Sequence, residues 1–309
     1  MTYYDELKFE QERKLDKMLR ELPPFCTLFF LEQDEIASST KLAYAYDMLS
    51  FFKFICDGTI RDLTLTNLEE VELLDLEKFL ATSASNAAYS RRLATLKRLF
   101  GHFQARRDIK NNPTPALLFP KKRMKEIVRL ERKEVGDMQK SASNYSIRDR
   151  VIITMFLATG LRVSELAGLN VGEVNMMNKT FTVTRKGGKR DRIFMNDALH
   201  SQMVDYLNWL RPASPNEPLF QSKSKGSNRL GLRSIQLLVK DCSIQAGITD
   251  KVITPHRLRA TFATHMRAQT KDIHMVAKLL DHSDITTTAK YYAGINDDEK
   301  REAINALTY

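Results

Sequence analysis

Apolar residues recur at helical spacing along most of this chain, and one short stretch departs from that pattern. The stretch TFTVTRKGGKRDRIFMN (180–196) alternates Phe181 and Val183 on one strand face and then reaches Gly187-Gly188. Alternation followed by paired glycines predicts a β-hairpin with a glycine turn. On either side, RVIITMFLATGLRVSELAGL predicts an apolar helix, a break at Gly160 and a second helix, and LGLRSIQLLVKDCSIQAGI and PHRLRATFATHMRA predict further helices. The fold class is therefore mainly α with a small β-sheet.

The 309 residues leave room for two domains at roughly 100–200 residues each. Residues 3–22 place Tyr4, Leu7, Leu15, Met18 and Leu22 at helical spacing before Pro23-Pro24 stops the pattern. This N-terminal extension (1–35) carries no readable function. From Ile36, SSTKLAYAYDMLSFFKFI opens on Ser/Thr caps and places Leu42, Ala45, Tyr46, Leu49 and Phe52 on one face. EEVELLDLEKFLA continues the helices, and AAYSRRLATLKRLFGHF carries a stripe of Leu93, Leu96, Phe100 and Phe103. Arg91, Thr95, Arg98 and His102 follow another face of that helix. They read equally well as a solvated polar face or as a basic side resting on phosphates. A small all-helical domain over 36–118 results. The charged stretch PKKRMKEIVRLERKEV reads as an exposed basic linker (119–134), whose Lys121, Lys122 and Arg123 are candidates to track a nucleic-acid backbone. Residues 135–309 form the second domain.

Net charge is +10 and the pI is about 9.4, which favours a polyanionic partner. The three scattered cysteines lack metal-ligand spacing and fit a reducing compartment. The charged N-terminal sequence is no secretory signal, and no apolar run reaches the ~18 residues of a membrane span. The expected setting is cytoplasmic.

The second domain also concentrates reactive side chains. Arg162 sits at the mouth of a helix with Glu165 one turn on, by itself an ordinary surface pair. In TPHRLRATFATH, Thr254 is a plausible N-cap and Pro255 the first helical residue, so His256 and Arg259 share a face of the first turn. Cations there oppose the helix dipole unless an anion arrives. Lys186 precedes the two glycines, with Lys189 as a competing candidate past the turn. HSDITTTAKYY adds His282, Tyr291 and Tyr292. Arginines can hold phosphate oxygens bidentately and offset developing charge without a metal. Tyrosine can act as a covalent nucleophile.

In order, ATGLRVSELAGL, RKGGKRDR, TPHRLRATFATH and LLDHSDITTTAKYY resemble the motifs of the tyrosine recombinases, or phage integrase family. The resemblance extends to 36–118, which looks like that family's core-binding (SAM-like) domain. It implies that Arg162 and Arg259 are the catalytic arginines, Lys186 the hairpin lysine, His256 and His282 the paired histidines and Tyr291 the nucleophile. Two positions depart from the family pattern: Ala260 stands where a histidine is usual, and Asp281 where a glycine is usual. Asp281 is expected to point away from the phosphate or to pair with a base.

On a helix Tyr291 and Tyr292 diverge by about 100°, so only one faces a pocket. A straight helix from His282 to Tyr291 would advance about 13 Å. A break near Ser283–Asp284 is therefore expected. The resemblance implies DNA cleavage and religation through a 3′-phosphotyrosyl link, with no metal, ATP or other cofactor. It implies double-stranded DNA with paired recognition half-sites as substrate. It further implies a tetrameric homo-oligomer, or assembly with a related recombinase, in a bacterial, nucleoid-associated setting. The tail, with Asn296, Glu299, Ala303, Ile304 and Leu307, would then dock as a helix onto a neighbouring protomer. A type IB topoisomerase, a non-enzymatic DNA-binding regulator and a metal-dependent nuclease are the rival readings.

Overall fold

The computed structural model describes residues 3–121, 128–185, 188–222 and 228–281. The chain forms two compact units, Met1–Met124 and Lys125–Tyr309. Helices dominate both, and the described strands form one small sheet, the mainly α class with a small β-sheet expected from the sequence. No described helix is long and apolar enough to cross a membrane.

The first unit contains α1 (Tyr3–Leu19), α2 (Phe25–Leu31), α3 (Ser38–Ile55), α4 (Leu65–Glu69), α5 (Leu73–Ala81) and α6 (Asn86–Ala105). Its core is aromatic. Phe25 meets Phe52 and Phe103 edge-on, and Phe51 meets Phe79 and Phe100 the same way, arrangements worth about 0.5–1.5 kcal/mol per pair beyond area burial. The stripe Leu93, Leu96, Phe100 and Phe103 on α6 is buried, as its spacing predicts. Leu15, Met18 and Leu22 from the N-terminal segment, with Cys26, Phe29 and Phe30, belong to the same core. On α3 the expected face shifts. Ala45, Met48, Leu49, Phe51 and Phe52 are buried while Tyr46 is exposed. The helix is packed by α1, α5 and α6, so its buried sector is broader than a single stripe and lies to one side of Tyr46.

The second unit contains α7 (Arg132–Ala142), α8 (Ile147–Thr159), α9 (Val163–Ala167), β1 (Val174–Asn175), β2 (Thr180–Thr184), β3 (Arg190–Phe194), α10 (Asp197–Leu210), α11 (Leu232–Gln245), α12 (Pro255–Thr270) and α13 (Ile273–Leu280). Val151, Ile152, Ile153, Met155 and Phe156 of α8 are all buried. A helix apolar on every side belongs at the centre, and α7, α10, α11 and α12 pack around it. Helix α7 starts inside the charged stretch 120–135, because Glu131 and Glu134 form a reciprocal cap at its N-terminus. Just before it, the backbone N–H of buried Leu130 donates to Thr261 Oγ1 on α12 at 2.9 Å. The three strands run antiparallel in the order β1-β2-β3, with Phe181 opposite Ile193 and Val183 opposite Asp191. Phe181 and Val183 point inward, as their alternation predicts.

Candidate functional site

Helix α8 ends at Gly160, whose φ of +62° is left-handed. A Cβ there would lie 2.5 Å from the Phe262 ring, so this position needs glycine for both backbone and space. The turn delivers Arg162 to the N-cap of α9. Glu165, three residues on, accepts from the Arg162 backbone N–H at 2.8 Å and from its Nη1 at 2.7 Å. The pair anticipated as a surface contact is thus a one-sided cap, in which Glu165 accepts from both the backbone and the guanidinium of Arg162, with Arg162 partly exposed and Glu165 buried.

Glu165 also serves guanidiniums from other segments. Arg185 Nη1 donates to its Oε2 at 3.0 Å, and Arg259 Nη1 lies 3.9 Å from the same oxygen. Burial by itself would raise the Glu165 pKa. The Arg162 backbone N–H, Arg185 and the Arg162 side chain overcome it and hold the carboxyl below its usual value.

Thr254 caps α12 through its side chain and Pro255 occupies the first turn, as the sequence predicts. That cap places His256 and Arg259 one turn apart. Arg259 is 3% exposed. It donates to the Gly160 carbonyl at 2.8 Å and to the Leu280 carbonyl. His256 stays at the surface. Its pKa is lowered chiefly by partial desolvation, then by the charges of Arg259 and Arg162. Ala260, where the family usually has histidine, is buried among the packing residues of α12.

The hairpin contributes Arg185, directly before Lys186 in the chain. Arg185 is 1% exposed. Besides Glu165 it reaches Asp191 through Nε and Nη2, at 3.2 and 3.0 Å, and the Leu279 carbonyl at 3.2 Å. Asp281, directly before His282, ends α13 in the left-handed region with φ of 49°. Its carboxylate takes Lys189 Nζ at 3.1 Å. The extra negative charge is thus paired with a base, as expected. Lys189 is therefore engaged at the hairpin while Lys186 lies outside the described residues.

Four sequence motifs accordingly meet around one carboxylate. Arg162 and Arg259 come together there, with His256 close enough to feel both charges, while His282, Tyr291, the break near Ser283–Asp284 and the tail helix lie outside the described residues. Among the described residues, Arg162, Arg185 and Arg259 gather at Glu165, and Arg185 also pairs with Asp191, a cluster of guanidiniums suited to an anion. Among the described residues no group of three or more His, Cys, Asp or Glu side chains gathers as a metal would need.

Sequence reasoning missed Arg185. The signal was present: Phe181 and Val183 face inward, so period-2 alternation places residue 185 on the same side. A charge on a buried strand face must be paired.

In the first unit, Arg91 Nη1 meets the buried carboxylate of Asp47 at 2.7 Å, and Thr95 donates to the same group at 3.1 Å. Arg98 donates to Gln33 and Glu35, each at 2.7 Å. His102 lies 3.4 Å from Glu32. Any phosphate taken up by Arg91 or Arg98 competes with these acids. Lys121 is exposed, and Lys122 and Arg123 lie outside the described residues.

The phage integrase family matches residues 106–299. The chain is similar to tyrosine recombinase XerC of Caldanaerobacter subterraneus subsp. tengcongensis, at 32% identity over 97% of this chain and 89% of that one. Among solved structures, XerH site-specific recombinase bound to palindromic difH substrate in a post-cleavage complex has a TM-score of 0.72 at 19% identity, covering 86% of this chain and 80% of that one. A lambda integrase tetramer bound to a Holliday junction has a TM-score of 0.70 at 16% identity, covering 91% and 76%. With the ordered motifs gathered at one buried carboxylate, and with the family match spanning most of the chain, this protein belongs to the phage integrase family.

Proposed function

We propose that the chain is a site-specific DNA recombinase that breaks and rejoins DNA by transesterification through Tyr291. The single observation that carries this reading is the gathering of the Arg162 and Arg259 guanidiniums at Glu165, with His256 within electrostatic reach of both. A phosphodiester is an anion whose non-bridging oxygens paired guanidiniums can hold.

Tyr291 Oη bonds to the scissile phosphorus as the bond to the 5′ oxygen breaks. Arg162 and Arg259 hold the non-bridging oxygens. His256, kept neutral by its lowered pKa, assists removal of the phenol proton. Lys186 supplies a proton to the departing 5′ oxygen, and His282 hydrogen-bonds the phosphate. The bond energy stays in the phosphotyrosyl ester, so the reverse attack by another strand's 5′-hydroxyl needs no ATP.

Residues 36–118 act as the core-binding domain, and Arg91, Arg98, Lys121, Lys122 and Arg123 contact the DNA backbone. The substrate is double-stranded DNA with paired half-sites, recombined within a homo-tetramer in the bacterial cytoplasm. Solved relatives bound to a palindromic substrate and to a Holliday junction support this assembly.

The test is Tyr291→Phe beside Tyr292→Phe. Tyr291→Phe is expected to keep DNA binding and to lose the covalent protein–DNA adduct, while Tyr292→Phe keeps both. An adduct from Tyr291→Phe overturns the assignment. Sequencing fragments attached to the wild-type protein on genomic DNA maps the site. Plasmid relaxation without a site-specific product would point to a topoisomerase instead.

A further inference from the structure

Arg185 has no assigned part in the scheme above, yet it is the most completely enclosed charge among the described residues of the second unit. Its guanidinium spans three segments: Glu165 at 3.0 Å, which carries Arg162; Asp191 at 3.0 and 3.2 Å on the facing strand; and the Leu279 carbonyl at 3.2 Å, near the end of α13. The backbone ties in as well, since Arg185 N–H donates to the Lys189 carbonyl at 2.7 Å across the hairpin. Lysine cannot replace this planar fork, because three donors on one ammonium do not reach three partners set around a plane. The residue after Arg185 is Lys186.

We infer that Arg185 is a positioning residue for strand cleavage: it fixes the root of the hairpin to the carboxylate holding Arg162, and so sets where the lysine next to it can deliver a proton. This rests on the reading that Tyr291 esterifies the DNA and that Lys186 protonates the leaving 5′ oxygen. A sulfur in the 5′ bridging position leaves as a thiolate and needs no proton donor. A defect caused by a misplaced donor is therefore cured by sulfur, and a defect in general architecture is not.

The experiment uses the full-length chain and a duplex carrying the mapped site, nicked so that the cleaved end is lost. The scissile linkage is either the native phosphodiester or its 5′-bridging phosphorothiolate. Arg185→Lys and Arg185→Met are expected to form adduct ~10²- to 10³-fold more slowly than wild type on the phosphodiester, the range of a lost general acid. On the sulfur substrate they should return to within about tenfold of wild type, with DNA affinity unchanged. Equal slowing on both substrates, or wild-type rates on the phosphodiester, overturns the inference alone. A wild-type protein that forms no adduct on either substrate overturns the underlying reading and the inference with it. Should both Arg185 variants fail to fold, Asp191→Ala decides. It removes a partly exposed partner of Arg185 and is expected to give a weaker defect with the same rescue by sulfur. Absence of that defect, or of its rescue, counts against Arg185.

Discussion

Asp47 in the first unit and Glu165 in the second are buried to nearly the same degree, at 4% and 3% exposure, yet their proton affinities move in opposite directions. Burial raises the Asp47 pKa, and the half-exposed Arg91, the Thr95 hydroxyl and the charge of Arg92 do not reverse it. Glu165 faces the same desolvation and ends below its usual value, because a backbone N–H and surrounding guanidiniums outweigh it. The burial of the cationic partner and the added backbone donor, not the depth of the acid, set the direction of the shift. At Asp47 the arginine lies half exposed on a polar helix face, whereas at Glu165 two of the guanidiniums, Arg185 and Arg259, are themselves buried.

The sharpest way to break this contrast is to neutralise each acid. Glu165→Gln leaves Arg185 and Arg259 buried without their shared charge, and is expected to destabilise the second unit by about 3–5 kcal/mol. Asp47→Asn keeps a polar partner for Arg91 and Thr95 and is expected to change the first unit's stability by less than about 1 kcal/mol. Amide exchange of the two units reads both, and equal losses would erase the distinction. Acid separates them further. Glu165's folded pKa is lowered from 4.5, so its stabilisation is present above that value and is lost as pH falls through the lowered one. Asp47's folded pKa is raised from 3.8, so protonation favours the folded unit as pH falls through the raised value. Replacing Glu165 should therefore flatten the acid limb of the second unit's stability, and replacing Asp47 should steepen that of the first.

Next in size is Gly160→Ala, which strains a left-handed backbone at about 1–3 kcal/mol and also displaces Phe262. Urea unfolding followed by the fluorescence of Trp209, the chain's one tryptophan, measures the loss in the second unit. Arg91→Ala strands the buried Asp47 carboxylate and is expected to cost about 1–3 kcal/mol in stability, and Arg98→Ala below about 1 kcal/mol. If they touch phosphate, each lowers the salt slope of DNA binding by about 0.9. An unchanged slope would make that face purely structural. The smallest expected effect is in the pH profile. Because the His256 pKa is lowered from 6.5, the acid limb of adduct formation should lie below that pH.

How much of this was readable in advance follows from the range of each interaction. The break at Gly160, the Thr254-Pro255 cap and the inward faces of β2 and α6 are set by near neighbours, and spacing alone predicts them. Tyr46 escaped because the buried sector of α3 depends on which helices arrive from elsewhere. The Arg162–Glu165 pair was visible, but its burial was not, since that depends on Arg185 and Arg259, 20 or more positions away. Arg185 itself needed only the alternation of its strand carried one step further.

The Leu130–Thr261 hydrogen bond bears on protein engineering. Thr261 stands two positions beyond Arg259 on α12, so the thread entering the second unit is registered against the same helix that supplies His256 and Arg259. Chimaeras that trade the first unit for another's should keep residues 128–134 with α12 and make the splice at the 124/125 boundary. A junction placed only a few residues later would separate that anchor from its hydroxyl and graft a foreign thread onto the scaffold of the reacting groups.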